Sequence, residues 1–312
     1  MRRTRSLARA WRAIGRGRML ARRALVLAAC VWLSVGAAGV HAAPADALRD
    51  QFVALSDALR NSPFQRPLHL VSIETDDTLK GEIHAVLEHG FGSVRAALVE
   101  PANWCDILIL HINVKHCMLE PGGQLAVRLG KKSAQPVDEA YPMLFSHRVD
   151  SARPDDLEIR LEAPEGPMST RDYRIRLRAI PIDRGRTFIH LVYSTQVGLA
   201  GRIAMTTFLN TVASGKVGFT VVGRDGDGRP EYIGGARGMI ERNTLRYYLA
   251  IEAYLDALSA PPTSRMERSL AAWFDATERH ARQLHEMDRA DYLEMKRAEY
   301  WRQRRLGWKP RS

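Results

Sequence analysis

Cysteine is nearly missing from this chain: Cys30, Cys105 and Cys117 are the only three. None are spaced as a C-x-x-C pair, which excludes a thioredoxin-type redox motif and a cysteine-rich zinc fold. His-x-x-x-His, Gly-x-Ser-x-Gly and phosphate-loop patterns are also lacking, so no familiar catalytic or metal motif is present and no cofactor is expected. No apolar run reaches the roughly 20 residues that a membrane-spanning helix needs. Acidic residues are absent from the first 43 positions, which carry nine arginines and no lysine. That lopsided segment accounts for most of the formal charge of +11, because the remainder holds 37 basic against 35 acidic residues. A near-neutral body with no basic stripe argues against a nucleic-acid partner.

What is there begins with residues 19–43. Arg22 and Arg23 form a basic start, Ala24–Ala38 an apolar stretch, and Val40-His41-Ala42 places small residues where a signal peptidase cuts. The expectation is a cleaved signal peptide over 1–43, cut near Ala42, and a periplasmic product. Met1 and Met19 both stand as starts. Leu27-Ala28-Ala29-Cys30 also fits a lipobox, although the apolar run continues past Cys30 where a lipoprotein turns polar. An oxidising compartment favours a disulfide between Cys105 and Cys117. Two separately buried thiols remain the alternative, since a helix followed by a strand carries two such residues apart quickly.

Along the body, Leu48, Phe52, Leu55 and Leu59 recur at helical spacing and predict an amphipathic helix over 45–60. Strands are expected at 68–74 and 79–89, helices at 91–99 and through Trp104, and six further strands between 111 and 196. In the best pair, Leu157, Ile159 and Leu161 alternate with Glu158, Arg160 and Glu162, and Tyr173, Ile175, Leu177 and Ala179 alternate with Arg174, Arg176 and Arg178. Period 2 puts these charges on one wet face of an antiparallel sheet, as opposed acidic and basic rows. A helix is expected over Leu199–Val212, a strand over 216–223, a turn rather than a calcium loop at Arg224–Pro230, and a long helix over 237–258. Leu245, Tyr248, Leu249, Ile251, Leu255 and Leu258 cover so much of that last helix that it must be buried on most sides.

The stretches Phe91–Leu98 with Pro101 and Trp104, Ser169–Ile180 with Tyr173, Arg186–Ser194, Lys216–Phe219 and Glu241–Tyr248 resemble the START-like (SRPBCC) superfamily over residues 66–258. The resemblance implies an α+β helix-grip fold: a curved antiparallel sheet wrapped around a long C-terminal helix, with a cavity between them for a lipid or other apolar molecule. The candidate wall residues are Tyr173, His190, Phe219, Tyr247, Tyr248, Ile251, Tyr254 and Leu255. Tyrosine supplies an apolar body with a polar tip, suited to orienting an amphiphile. Glu241, Arg242 and Arg246 can meet a head group or form a local ion network.

The function expected is therefore a carrier or sensor for a hydrophobic ligand, acting as a monomer with peripheral membrane contact. Two alternatives stand beside it. One is a helix-grip enzyme using acid–base chemistry, for which His190 and Glu241 are the only candidates. The other is a cell-envelope interaction protein working through its tail. The domain plan is 1–43 signal peptide, 44–260 ligand-binding domain and 261–312 helical extension. Pro261-Pro262 should break the long helix by Ser259, and Ser264 with Glu267 should form a capping box for a helix over 264–305. Met266, Leu270, Trp273, Phe274, Thr277, Ala281 and Leu284 mark its apolar face. Removing 263–312 should then leave a folded domain.

Overall fold

The computed structural model describes residues 44–198, 201–202, 206–207, 211 and 215–306. The signal-peptide and lipobox expectations, and most of the helix expected over Leu199–Val212, lie outside the described residues.

The N-terminal helical segment is two helices, α1 (Pro44–Ala54) and α2 (Ser56–Arg60). A hairpin of β1 (Leu68–Glu74) and β2 (Thr78–Leu87) follows, then α3 (Phe91–Val99) and α4 (Pro101–Leu108). Pro101 opens α4 where its missing N–H costs nothing. Six strands come next: β3 (Val114–Leu119), β4 (Leu125–Leu129), β5 (Tyr141–Arg153), β6 (Asp156–Glu165), β7 (Thr170–Pro181) and β8 (Thr187–Val197). All eight make one antiparallel sheet in the order β1-β2-β8-β7-β6-β5-β4-β3. Register shifts in β3, β5 and β7 supply bulges that help the sheet curl. The charge rows meet as expected: Glu158 lies opposite Arg178, and Glu162 opposite Arg174. Arg176 reaches Glu158 at 2.7 Å.

The inward rows of β2, β6, β7 and β8 pack with α5 (Gly235–Ala257) in one continuous core. An added Cβ at Gly81 would collide with Thr244 Oγ1, so the absence of a side chain there lets α5 seat closely on β2. This is the helix-grip architecture. A small hairpin, β9 (Val221–Arg224) and β10 (Pro230–Tyr232), precedes the helix. Its turn is held by Asp225, whose carboxylate accepts the N–H groups of Asp227 and Arg229. On the opposite face of the sheet, Leu48 and Phe52 of α1 pack on Ile180 and Phe188.

Cys105 of α4 is bonded to Cys117 of β3, with Cα atoms 5.1 Å apart. The chain reverses through residues 109–113, so β3 runs back beside the helix it follows.

The tail departs most from expectation. It is three helices, α6 (Arg265–Glu278), α7 (Ala281–Leu284) and α8 (Arg289–Leu306). The long helix does end before the prolines, but no capping box forms. Ser264 closes a short 3-10 turn and its hydroxyl donates to Pro261 O, while Glu267 pairs with Arg297. Leu270, Trp273, Phe274, Leu284 and Tyr292 belong to the same core as the sheet and α5. Tyr292 Oη donates to Leu110 O at 2.8 Å, and Lys296 Nζ to Val114 O at 2.6 Å. The described residues on both sides of position 260 form one compact unit, so that boundary divides the sequence and not the core.

Candidate ligand-binding site

Between the sheet and α5 lies a cavity of about 770 Å³, within the roughly 300–1,000 Å³ range of small-molecule sites. One wall is the sheet: Tyr173 from β7, Tyr193 and Thr195 from β8, Leu129 and Tyr141 from β4 and β5. The facing wall is one stripe of α5, formed by Met239, Ile240, Asn243 and Tyr247, whose spacing follows the helical repeat. Pro167 and Met168 form part of the rim.

Aromatic rings run through this space in sequence. Tyr173 and Tyr193 have centroids 6.2 Å apart, Tyr193 and Tyr247 5.1 Å, and His111 stacks on Tyr247 at 4.8 Å. Burial raises the pKa of all three tyrosines, so they present neutral hydroxyls. Tyr173 Oη is 2.8 Å from Thr170 Oγ1.

One end of the cavity is polar. His111 is buried, and burial together with the Arg246 and Lys296 charges pushes its pKa well below the ordinary value. Its Nδ1 accepts the Asn113 N–H at 3.2 Å, which places the remaining ring hydrogen on Nε2. That nitrogen has no hydrogen-bond partner among the described residues. Beside it, Glu286 receives Lys132 at 2.6 Å, Arg246 at 2.7 Å and Lys216 at 3.5 Å. Burial would raise the Glu286 carboxyl, yet these cations hold its pKa below the usual range. Three positive groups on one carboxylate leave an excess of positive charge at this end.

Of the eight candidate wall residues, the structure brings Tyr173 and Tyr247 to the cavity. Helical geometry turns Tyr248 about 100° away from Tyr247, and its hydroxyl donates to Glu252. Ile251 and Leu255 continue into close-packed core. Tyr254 is half-buried, its pKa pushed up to about 12 by burial with Asp106 nearby. Phe219 packs on Phe64 and His280, with centroids at 5.3 and 5.6 Å. His190 sits on the opposite face of the sheet, 2.7 Å from Glu82, because its even position on β8 faces away from Tyr193.

Glu241 is also committed elsewhere. Its carboxylate accepts the Phe219 and Thr220 N–H groups and the Ser72 and Thr220 hydroxyls. Arg242 donates to Val217 O at 3.0 Å, and these bonds staple residues 217–220 to α5. Neither acid–base candidate therefore faces the cavity. Tyr193 could have been found by strand parity beside Tyr173. His111, Lys132 and Glu286 carried no local signal, since each reaches the site from a loop or from the tail.

No protein-family profile matches the chain, and no curated protein sequence matches it. Among solved structures it is similar to norcoclaurine synthase from Thalictrum flavum in complex with dopamine and hydroxybenzaldehyde, at 9% identity and TM-score 0.33, over 46% of this chain and 80% of that one. Human StAR-related lipid transfer protein 5 matches at 8% identity and TM-score 0.26, over 49% and 80%. An aromatase/cyclase from Streptomyces sp. R1128 matches at 15% identity and TM-score 0.27, over 70% and 100%. The fold assignment itself rests on the strand order and the gripped helix described above.

Proposed function

We propose that this protein is an exported periplasmic carrier or sensor that holds a lipid-like or other apolar molecule between the sheet and α5. The observation that carries the reading is the aromatic-lined cavity closed at one end by an unsatisfied His111 Nε2 and an excess of cations. An apolar body would lie along Tyr173, Tyr193 and Tyr247. An acidic or carbonyl head would accept from His111 and face Lys132 and Lys216. Each buried methylene contributes about 0.8 kcal/mol, so a few polar contacts suffice to orient the ligand. The signal-like pattern at 19–43 and the Cys105–Cys117 bond support an oxidising, exported setting.

Native mass spectrometry of the mature protein, purified gently from the periplasm, tests this directly. A bound lipid mass is expected in the wild type, and Tyr193→Trp, which fills the cavity, should lose it. Repeated recovery of empty protein, with no lipid exchange in vitro, would count against the reading.

A further inference from the structure

The outward face of the sheet carries a polar row that the cavity does not use. Register places His69 of β1 opposite His84 of β2, His84 opposite His190 of β8, and His190 opposite Arg178 of β7. The His84 and His190 rings lie face to face, with centroids 4.1 Å apart and planes within 9° of parallel. His190 Nε2 is 2.7 Å from Glu82 Oε2, and the other Glu82 oxygen meets Lys80 at 2.7 Å. Arg178, the cation nearest in register, has its Nε 3.6 Å from Glu158.

His84 stands out in this row. It is 8% exposed, yet neither ring nitrogen has a hydrogen-bond partner among the described residues. Phe188 covers it with a centroid separation of 6.1 Å, and His190 stacks on it more closely. Buried polar atoms are nearly always partnered, and an imidazole with both nitrogens idle calls for an explanation. The donor atoms of Glu82, His84 and His190 all lie within 4.8 Å of one another.

We propose that Glu82, His84 and His190 form a binding site for a divalent transition-metal ion of the zinc type, on the outward face of the sheet. Two imidazole nitrogens and one carboxylate oxygen suit Zn²⁺ and its neighbours, whereas Mg²⁺ and Ca²⁺ require an oxygen cage. Zinc bonds of 2.0–2.1 Å in a tetrahedron put donors about 3.3 Å apart. Side-chain rotation can close that gap, because paired strands already fix the three backbones. The ion would take the place of the hydrogen between His190 and Glu82 and give one His84 nitrogen a partner. Water or His69, whose ring lies 6.4 Å from that of His84, can complete the set. The site would brace β2 to β8 independently of ligand in the cavity, since Ile83, Ala85, Ile189 and Leu191 at the adjoining inward positions are core.

The test is calorimetric titration of the chelator-treated full chain with ZnCl₂ alone, together with Co²⁺ titration read by visible absorption. The expected result is one ion per chain and a Co²⁺ spectrum of a nitrogen–oxygen site. His84→Gln and Glu82→Gln should each weaken binding at least tenfold and abolish that spectrum. His285→Gln, at an exposed histidine paired with Glu278, should leave both unchanged. Metal-free thermal melts show that each variant is folded, and Glu82→Gln, nearly isosteric, serves if His84→Gln is not. No stoichiometric binding by the wild type, or titrations of the folded variants that superimpose on it, would overturn the proposal.

Discussion

The indole N–H of Trp273 donates to the main-chain carbonyl of Arg246 at 3.1 Å, joining the first helix of the tail to the middle of the gripped helix. Trp273 also stacks on Tyr292, with centroids 5.1 Å apart, and Tyr292 reaches back to Leu110. Sheet, gripped helix and tail are therefore successive layers of one core.

Removal of residues 263–312 should accordingly give an insoluble or molten product, and not the folded domain that the sequence suggests. Each large apolar side chain left without its cover loses about 1.5–3 kcal/mol, and Trp273, Phe274, Leu284 and Tyr292 all sit in the shared core. Near-UV circular dichroism and dye binding of the truncated chain check this. Trp273→Ala alone should cost about 3–5 kcal/mol in a denaturant melt.

Glu286→Ala should destabilise the protein by roughly 3–5 kcal/mol, because it leaves the Arg246 guanidinium buried without its counter-ion. Glu286→Gln, which keeps an acceptor, should cost less. Denaturant titration of the two variants at neutral pH distinguishes loss of charge from loss of packing.

Stability should fall as the pH drops from 7 to 5, before the carboxylates titrate. His111 and His116 are buried, and burial lowers both pKa values, that of His116 to about 4. In the unfolded chain a histidine takes up a proton near pH 6.5. Below that value the unfolded state binds more protons than the folded one, so the stability fully present at pH 7 drains away toward the folded pKa. A loss of roughly 1 kcal/mol per histidine at pH 5 is expected. Replacing His116 with Gln should reduce the slope of melting temperature against pH.

Reduction of Cys105–Cys117 should cost about 3 kcal/mol in the chain-entropy model. Non-reducing mass spectrometry should find neither thiol free to alkylate, and Cys117→Ser should melt lower by several degrees with the same fold.

The sheet and its gripped helix were legible because their signals are periodic. Leu157–Leu161 and Tyr173–Ala179 state which face is buried, and the run Leu245–Leu258 is apolar on most sides, with Asp256 left exposed. The cavity was less legible. Tyr173 and Tyr247 were found, but Tyr248, Ile251 and Leu255 share their chemistry, and only the position along α5 separates wall from core. The tail misled for a physical reason: its charges read as a solvated face, yet Lys296 and Glu299 are buried against Lys115 and the carbonyls of residues 111 and 114. Glu82, His84 and His190 could not be grouped from sequence either. Strand register across a hundred residues of chain brings them together, and no local pattern encodes it.

The pairing of β2 with β8 has a kinetic consequence. Every inward residue of β2 finds its neighbour on β8 at least a hundred positions later, and α5 is later still. Loop closure over such distances delays folding, and a high contact order slows it further. The first hairpin must therefore wait, with one edge open, until β8 at residues 187–197 is available. A polypeptide built this way completes its sheet late and carries an unpaired strand edge until β8 has been made.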